Sequence, residues 1–245
     1  MARAGVPLLA VLIDADNTSA AWADAIFEEI ASLGEASVRR IYGDFTNPHL
    51  KGWQAKLAHL ALVPYHSPAN TVGKNSSDIA LVIDAMDILH SGRFDGFVLI
   101  SSDSDFTRLA SRIREQGLDV FGIGQQKTPE AFRKACKRFI YVENLMAEAE
   151  ADGPEPASKP RSGEAKPKKE SPKSAIPLVV AAMRAIGGDE DWYSLGQIGQ
   201  YITQANPEFD PRTYGSAKLS DLIAKTGRFE VKPGPNNSLV VRDLA

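Results

Sequence analysis

Two stretches of the chain run a strand of apolar residues directly into a knot of acids: LLAVLIDADN (Leu8 to Asn17) and FVLISSDSDF (Phe97 to Phe106). A continuous Leu/Val/Ile run bounded by turn residues is the pattern of a strand buried on both faces, as in a parallel sheet. Open α/β sheets bind ligands outside the carboxyl ends of their strands. If both strands run the same way, Asp14, Asp16, Asp103 and Asp105 gather at one edge. Carboxylates about 5 Å apart repel by about 3 kcal/mol at an effective dielectric of about 20. A divalent cation or shared protons would relieve that repulsion.

The residues around these runs alternate between strand-like and helix-like periods. After Leu8 to Asp14, Thr18 or Ser19 is placed to cap a helix through Leu33. Val38 to Tyr42 reads as a strand, Leu50 to Leu60 as a helix and Ala61 to Tyr65 as a short strand. A helix starts near Ser76 or Ser77, with Ile79, Val82, Ile83 and Met86 spaced to line its buried face. Phe94 to Ser101, Leu118 to Ile123 and Phe139 to Val142 read as strands. Between them lie a helix over Asp105 to Gln116 and one capped by Thr128 with Pro129 at its first position. This alternation predicts an α/β fold with a doubly wound, mainly parallel sheet.

The first strand-to-helix turn narrows the chemistry. A dinucleotide site needs glycines there so that phosphate can approach the backbone, and this turn reads Asp14, Ala15, Asp16, Asn17, Thr18. No P-loop occurs either, since Gly73-Lys74-Asn75 lacks both the hydroxyl and the spacing. An anionic ligand would then be held through a metal. The four histidines show no ligand-like spacing, which argues against zinc. With one cysteine, Cys136, and the apolar run from Val6 cut short by Asp14, the expected setting is a reducing cytoplasm without membrane association.

Three motifs in order, IDADN (Ile13 to Asn17), GKNSSDIALVIDAM (Gly73 to Met86) and SSDSDF (Ser101 to Phe106), resemble those of the NYN ribonuclease domains, a branch of the PIN-like nucleases. The resemblance covers roughly residues 6 to 146. It implies a metal-dependent ribonuclease in which Asp14, Asp78, Asp103 and Asp105 are catalytic and bind Mg²⁺ or Mn²⁺. Asn17, Asp16 and Asp84 lie in the same motifs. Lys74 sits where the family often carries Lys-Gly-x-Asp, but with different spacing. On chemical grounds Asn17 can hold a carboxylate or a phosphate oxygen, Ser101, Ser102 or Ser104 can donate to one, and Lys74 and Lys127 can reach a nucleic-acid backbone. Ordinary structural roles are also open: Asp78 suits a helix N-terminus, Asp105 a helix cap, and the cations of FRKACKRF (Phe132 to Phe139) a solvated helix face.

The expected organisation is a nuclease domain over 1–148, a linker over 149–174 and a second domain over 175–245. The linker is rich in Pro, Lys, Glu and Ser and has too little apolar surface to offset the entropy of ordering. Beyond it, Ile176 to Ile186, Ser194 to Ala205 and Tyr214 to Thr226 read as helices, and Arg228 to Lys232 and Ser238 to Arg242 as the strands of a wing. YSLGQIGQYI (Tyr193 to Ile202), NPEFDPRTYGSAKLSDLI (Asn206 to Ile223) and FEV (Phe229 to Val231) resemble the OST-HTH domain, also called LOTUS. That resemblance implies a small winged-helix α+β module that binds RNA or docks RNA-processing proteins. Trp192, Leu195, Tyr201, Tyr214, Leu219, Leu222 and Phe229 are its expected core, and Arg212, Lys218, Lys225 and Lys232 its candidate phosphate contacts. Two other readings stay open: a haloacid dehalogenase-type phosphatase with Asp14, Asp16 and Thr18 as its nucleophile motif, and a non-catalytic RNA-binding scaffold.

Overall fold

A computed structural model describes residues 5–66, 76–146, 169–187, 191–235 and 238–245. The chain divides into two compact units, Met1–Pro156 and Ala157–Ala245. Most of the expected linker, and Lys74, lie outside the described residues. Among the described residues no helix is long and apolar enough to cross a membrane.

The first unit is built on a six-stranded sheet: β1 (Leu8–Asp14), β2 (Glu35–Gly43), β3 (Val63–His66), β4 (Gly96–Ile100), β5 (Asp119–Gly124) and β6 (Arg138–Tyr141). Every pairing is parallel, and the spatial order is β3-β2-β1-β4-β5-β6. The chain winds outward from β1 through β2 to β3, then returns to the other side of β1 to form β4. Connections leaving β1 and β4 therefore diverge, which opens a crevice at the carboxyl end of this pair.

Alternation along β1 explains its unbroken apolar run. Leu9, Val11 and Ile13 face α1 (Ala23–Leu33) and α2 (Lys51–Lys56), where Ile26, Ile30 and Trp53 are buried. Ala10 and Leu12 face α3 (Ser76–His90), α4 (Thr107–Glu115) and α5 (Glu130–Ala135). Period-two geometry puts Asp14 on this second face. Trp53 Nε1 donates to the Thr18 carbonyl at 2.8 Å, and Thr18 Oγ1 to the Ile100 carbonyl at 3.4 Å, so the turn after β1 is tied to both α2 and β4.

Several sequence expectations are corrected. In α3 the buried residues are Leu81, Ala85, Ile88 and Leu89, while Ile79 and Ile83 are 61% and 58% exposed. The helix is apolar on most sides, so its periodicity did not single out one face. α2 ends at Lys56, and Ala61 adopts a left-handed φ of 51° in the turn before β3. Thr128 does not cap α5; its hydroxyl is buried without a hydrogen-bond partner.

The second unit packs helices Ile176–Ile186, Leu195–Ala205 and Leu219–Thr226 on a three-stranded antiparallel sheet. Its strands are β7 (Tyr193–Ser194), β8 (Phe229–Pro233) and β9 (Leu239–Asp243), in the order β7-β9-β8. The short strand β7 was not foreseen. The expected helix from Tyr214 is broken: Pro211–Tyr214 form a 3₁₀ turn, Gly215 adopts a left-handed φ of 74°, and helix resumes at Leu219. Leu222 and Phe229 are buried and Leu195, Tyr214 and Leu219 pack against the core. Tyr201 is exposed, and Trp192 lies half-buried with Lys232 Nζ 3.6 Å from its ring centroid.

Packing at β5 is tight enough to test. A Cβ added at Gly122 would stand 2.5 Å from Phe139 Cδ2 and 2.8 Å from Cys136 Sγ, both in the core. Gly122→Ala should destabilise the first unit by about 1–3 kcal/mol, the usual cost of overpacking. Urea unfolding would measure it, and an unchanged midpoint would contradict this packing.

Candidate functional site

Pairing of β1 with β4 places Ile13 opposite Ile100, so the next residues, Asp14 and Ser101, come level at the mouth of the crevice. Asp14 is 1% exposed. Its carboxylate accepts from the Ser101 hydroxyl at 2.6 Å, from Asn17 Nδ2 at 2.9 Å and from the Asn17 backbone N–H at 3.2 Å. Burial pushes the Asp14 pKa up, against the opposing pull of the Ser101 and Asn17 donors. Asn17 is thus a carboxylate holder, one of the two roles expected of it.

Ser101 joins the two acidic motifs. While its hydroxyl donates to Asp14, its oxygen accepts from the Asp103 backbone N–H at 3.0 Å. The sequence alone offers Ser101 as one of three serines able to donate to a carboxylate or a phosphate oxygen, and the structure gives it the carboxylate. Its position one residue beyond β4, in register with Asp14, was the signal that could have set it apart. Asp103 in turn caps the 3₁₀ turn Ser104–Phe106, accepting from the Asp105 backbone N–H at 2.9 Å. This pulls the loop tight and leaves Asp105 exposed at the rim.

Asp78 comes from the first turn of α3, and Asp16 from the loop after β1, where it accepts from the Ser77 hydroxyl at 3.1 Å. Burial raises the Asp78 pKa to about 6, helped by repulsion from Asp14, Asp103, Asp105 and Asp16. Four acids from two strand ends therefore act electrostatically on a fifth carried by a helix.

The remaining expected residues separate. Asp84, also on α3, is taken up by Arg40 and the Tyr42 hydroxyl of β2, so its charge is compensated away from the rim. Ser102 accepts from the Gln125 backbone N–H at 2.9 Å and links the loops after β4 and β5. Lys127 is exposed in the loop after β5, at the same end of the sheet. In the run from Phe132 to Phe139 the cations meet protein partners: Arg133 the Tyr141 hydroxyl, Lys134 Glu130, Lys137 Asp119 and Arg138 Glu29. In the second unit Arg212 grips the buried Asp210, with Nε at 2.9 and 3.0 Å and Nη2 at 2.7 Å from its oxygens. Lys218 stays exposed.

Among the described residues no three His, Cys, Asp or Glu side chains form a ready-made metal cage. Local donors explain the looseness: Asp14, Asp16 and Asp103 each accept hydrogen bonds from neighbours. The donor set, mutually repelling oxygen ligands on a partly open rim, nonetheless suits Mg²⁺ or Mn²⁺. Mg²⁺ in particular keeps several waters and is commonly held by one or two carboxylates together with substrate phosphate.

Comparison with known proteins gives two family matches: the NYN domain over residues 8–143 and the OST-HTH/LOTUS domain over residues 168–241. The second match begins within the expected linker. Among solved structures, the chain is similar to a protein of unknown function from Vibrio parahaemolyticus at 19% identity, covering 58% of this chain and 96% of that one, with a TM-score of 0.48. It is also similar to an uncharacterized protein from Nitrosomonas europaea at 31% identity, covering 38% and 92%, with a TM-score of 0.27. No curated protein matches.

The acidic rim carries a pH signature. In the folded protein Asp78 keeps its proton to about pH 6, against an ordinary value of 3.8. The folded state thus binds more protons than the unfolded one between these values, and stability falls as pH rises through that window. Asp78→Asn should raise the thermal midpoint above about pH 6 with chelator present, and the gain should vanish as pH falls toward 3.8. Thermal melts across that range would measure it. A gain independent of pH would assign the effect to something other than charge.

Proposed function

The chain belongs to the NYN domain family, and on that footing we propose that it is a metal-dependent ribonuclease whose acidic crevice hydrolyses RNA phosphodiester bonds. The observation that carries this reading is the hydrogen-bonded linkage that brings the acid-bearing segments to the carboxyl ends of β1 and β4: Ser101 joins Asp14 to the Asp103 backbone, and Ser77, beside Asp78, donates to Asp16. NYN domains are nucleases and OST-HTH/LOTUS domains bind RNA, which fits a cutting unit joined to an RNA-binding one.

Asp14, Asp78, Asp103 and Asp105 would hold Mg²⁺ or Mn²⁺, with Asp16 beside them. Such a cation would acidify water and offset charge on the leaving oxygen of a phosphodiester. The chain's own residues supply orientation. Ser101 and Asn17 fix the Asp14 carboxylate, so that it meets a ligand without first being reordered. Asp78, on the first turn of α3, or Asp105, on the rim, would orient the attacking water. Lys127 on the rim would meet the RNA backbone.

The phosphatase reading fares worse on this geometry. The Thr18 hydroxyl is turned to the Ile100 carbonyl.

Purified protein incubated with single-stranded and structured RNAs, with Mg²⁺, Mn²⁺ or chelator, tests the proposal directly. Asp14→Asn and Asp103→Asn should each lower cation-dependent cleavage by at least about 100-fold while circular dichroism stays native. Undiminished cleavage in both variants would sink the nuclease assignment.

A second expectation concerns the two units. A chain ending at residue 148 should retain cleavage at saturating RNA but bind RNA more weakly, because a tethered binding module raises the effective RNA concentration at the site. RNA titrations of both proteins would decide it. Equal affinities would leave docking of RNA-processing proteins as the role of the second unit.

A further inference from the structure

Among the described cations of the second unit, Lys232 lies over the Trp192 ring and Arg184 is exposed on the Ile176–Ile186 helix, and the others divide into two groups. Arg212, Arg228 and Arg242 are each committed to a carboxylate, Asp210, Asp243 and Glu230 respectively. Lys169, Lys173, Lys218 and Lys225 are in no ion pair among the described residues. The break in the expected third helix brings Lys169, Lys218 and Lys225 to one turn. Lys225 Nζ donates to the Gly215 carbonyl at 3.0 Å and to Ser216 Oγ at 3.1 Å, both uncharged acceptors that leave its charge uncompensated. On the same turn, a Cβ at Gly215 would stand 3.5 Å from Lys169 Cδ. Lys218 closes the turn, exposed, as the residue before the Leu219–Thr226 helix.

The lysine-rich end of the expected linker is part of this arrangement. The Glu170 backbone N–H donates to the Thr213 carbonyl at 2.9 Å, and Ala175 is fully buried in the core. Lys169 and Lys173 are therefore held on the module. The segments 169–175 and 215–226 carry four lysines against two acids, Glu170 and Asp221. In sequence, Lys166 and Lys168 immediately precede them.

We propose that the Gly215–Lys218 turn, flanked by Lys169 and Lys225, is the surface by which the second unit grips the phosphodiester backbone of RNA. The assignment rests on the reading of that unit as RNA-binding. Unpaired ammonium groups on an exposed turn suit phosphates, since each contact releases condensed counterions and needs no base edge. Arg212, the more obvious candidate by sequence, is excluded because its guanidinium already holds Asp210. The grip is therefore expected to be sequence-tolerant and strongly salt-dependent.

The test uses the full chain with chelator and a fluorescein-labelled single-stranded RNA, titrated by anisotropy across a salt series. Lys169→Gln combined with Lys218→Gln removes two charges without removing a hydrogen bond that holds the turn. It should weaken binding at least about tenfold at about 0.1 M salt and flatten the log K against log salt slope by about 1.4, two single-strand contacts' worth. Arg184→Gln, on the exposed side of the Ile176–Ile186 helix, should leave the slope unchanged. Ultraviolet crosslinking of the same complexes separates the ways of failing. Crosslinks within 169–245 with an unaltered slope in the double variant would overturn this surface and keep the unit as RNA-binding through another face. No crosslinks there and an unaltered slope would overturn both, leaving the lysine turn to an acidic protein partner.

Discussion

The first unit depends on the complete enclosure of β1. The strand is hydrogen-bonded on both edges, to β2 and to β4, and packed on both faces. Its last residue is an aspartate, and a buried carboxylate is costly unless hydrogen-bonded. Asn17, three residues on, and Ser101, one residue past the neighbouring strand, meet that need. Because Ser101 also receives the Asp103 backbone N–H, satisfying Asp14 simultaneously shapes the loop that carries the second pair of acids. One hydroxyl thereby couples the two halves of the candidate site.

Around this anchor, the same residue type takes opposite roles according to its partners. Asp78 and Asp84 lie six positions apart on α3. Asp84 faces Arg40 and Tyr42, with the Arg40 guanidinium also 5.1 Å from the Tyr65 ring centroid, and so becomes part of the packing between helix and sheet. Asp78 faces other carboxylates and is pushed toward the neutral form. Carboxylates repelling one another at strand ends, in contrast to paired charge on a helix flank, are what make these acids a candidate site.

A similar sorting applies to the cations. The basic run from Phe132 to Phe139 draws attention in the sequence, yet Phe132, Cys136 and Phe139 point into the core and the charged residues between them bind protein acceptors. Among the described residues of the second unit, Lys169, Lys173, Lys218 and Lys225 are in no ion pair, whereas Arg212, Arg228 and Arg242 each are. Net charge, −3 for the whole chain, conceals this division, which is a matter of local pairing.

What the amino-acid order determined alone was local. The unbroken apolar run predicted β1 with the bounds observed, β4 was placed within two residues of its start and one of its end, and the Ile176–Ile186 helix stands where its periodicity places it. The acids at the strand ends were legible for the same reason, since a strand's direction carries its terminal residues to one edge. Tertiary structure decided which face of α3 is buried, because a helix apolar on most sides satisfies several packings equally well until a sheet selects one. It also decided that Asp84 meets Arg40, 44 residues away, and that Asp14 meets Ser101, 87 residues away. Such partners follow from strand order and register, whose hydrogen bonds join backbones whatever their side chains, so nothing in the adjacent sequence announces them. The Gly215 break had a local cause, a left-handed glycine after a 3₁₀ turn. Only the folded chain, however, showed that Lys169 and Lys225 come to lie beside it.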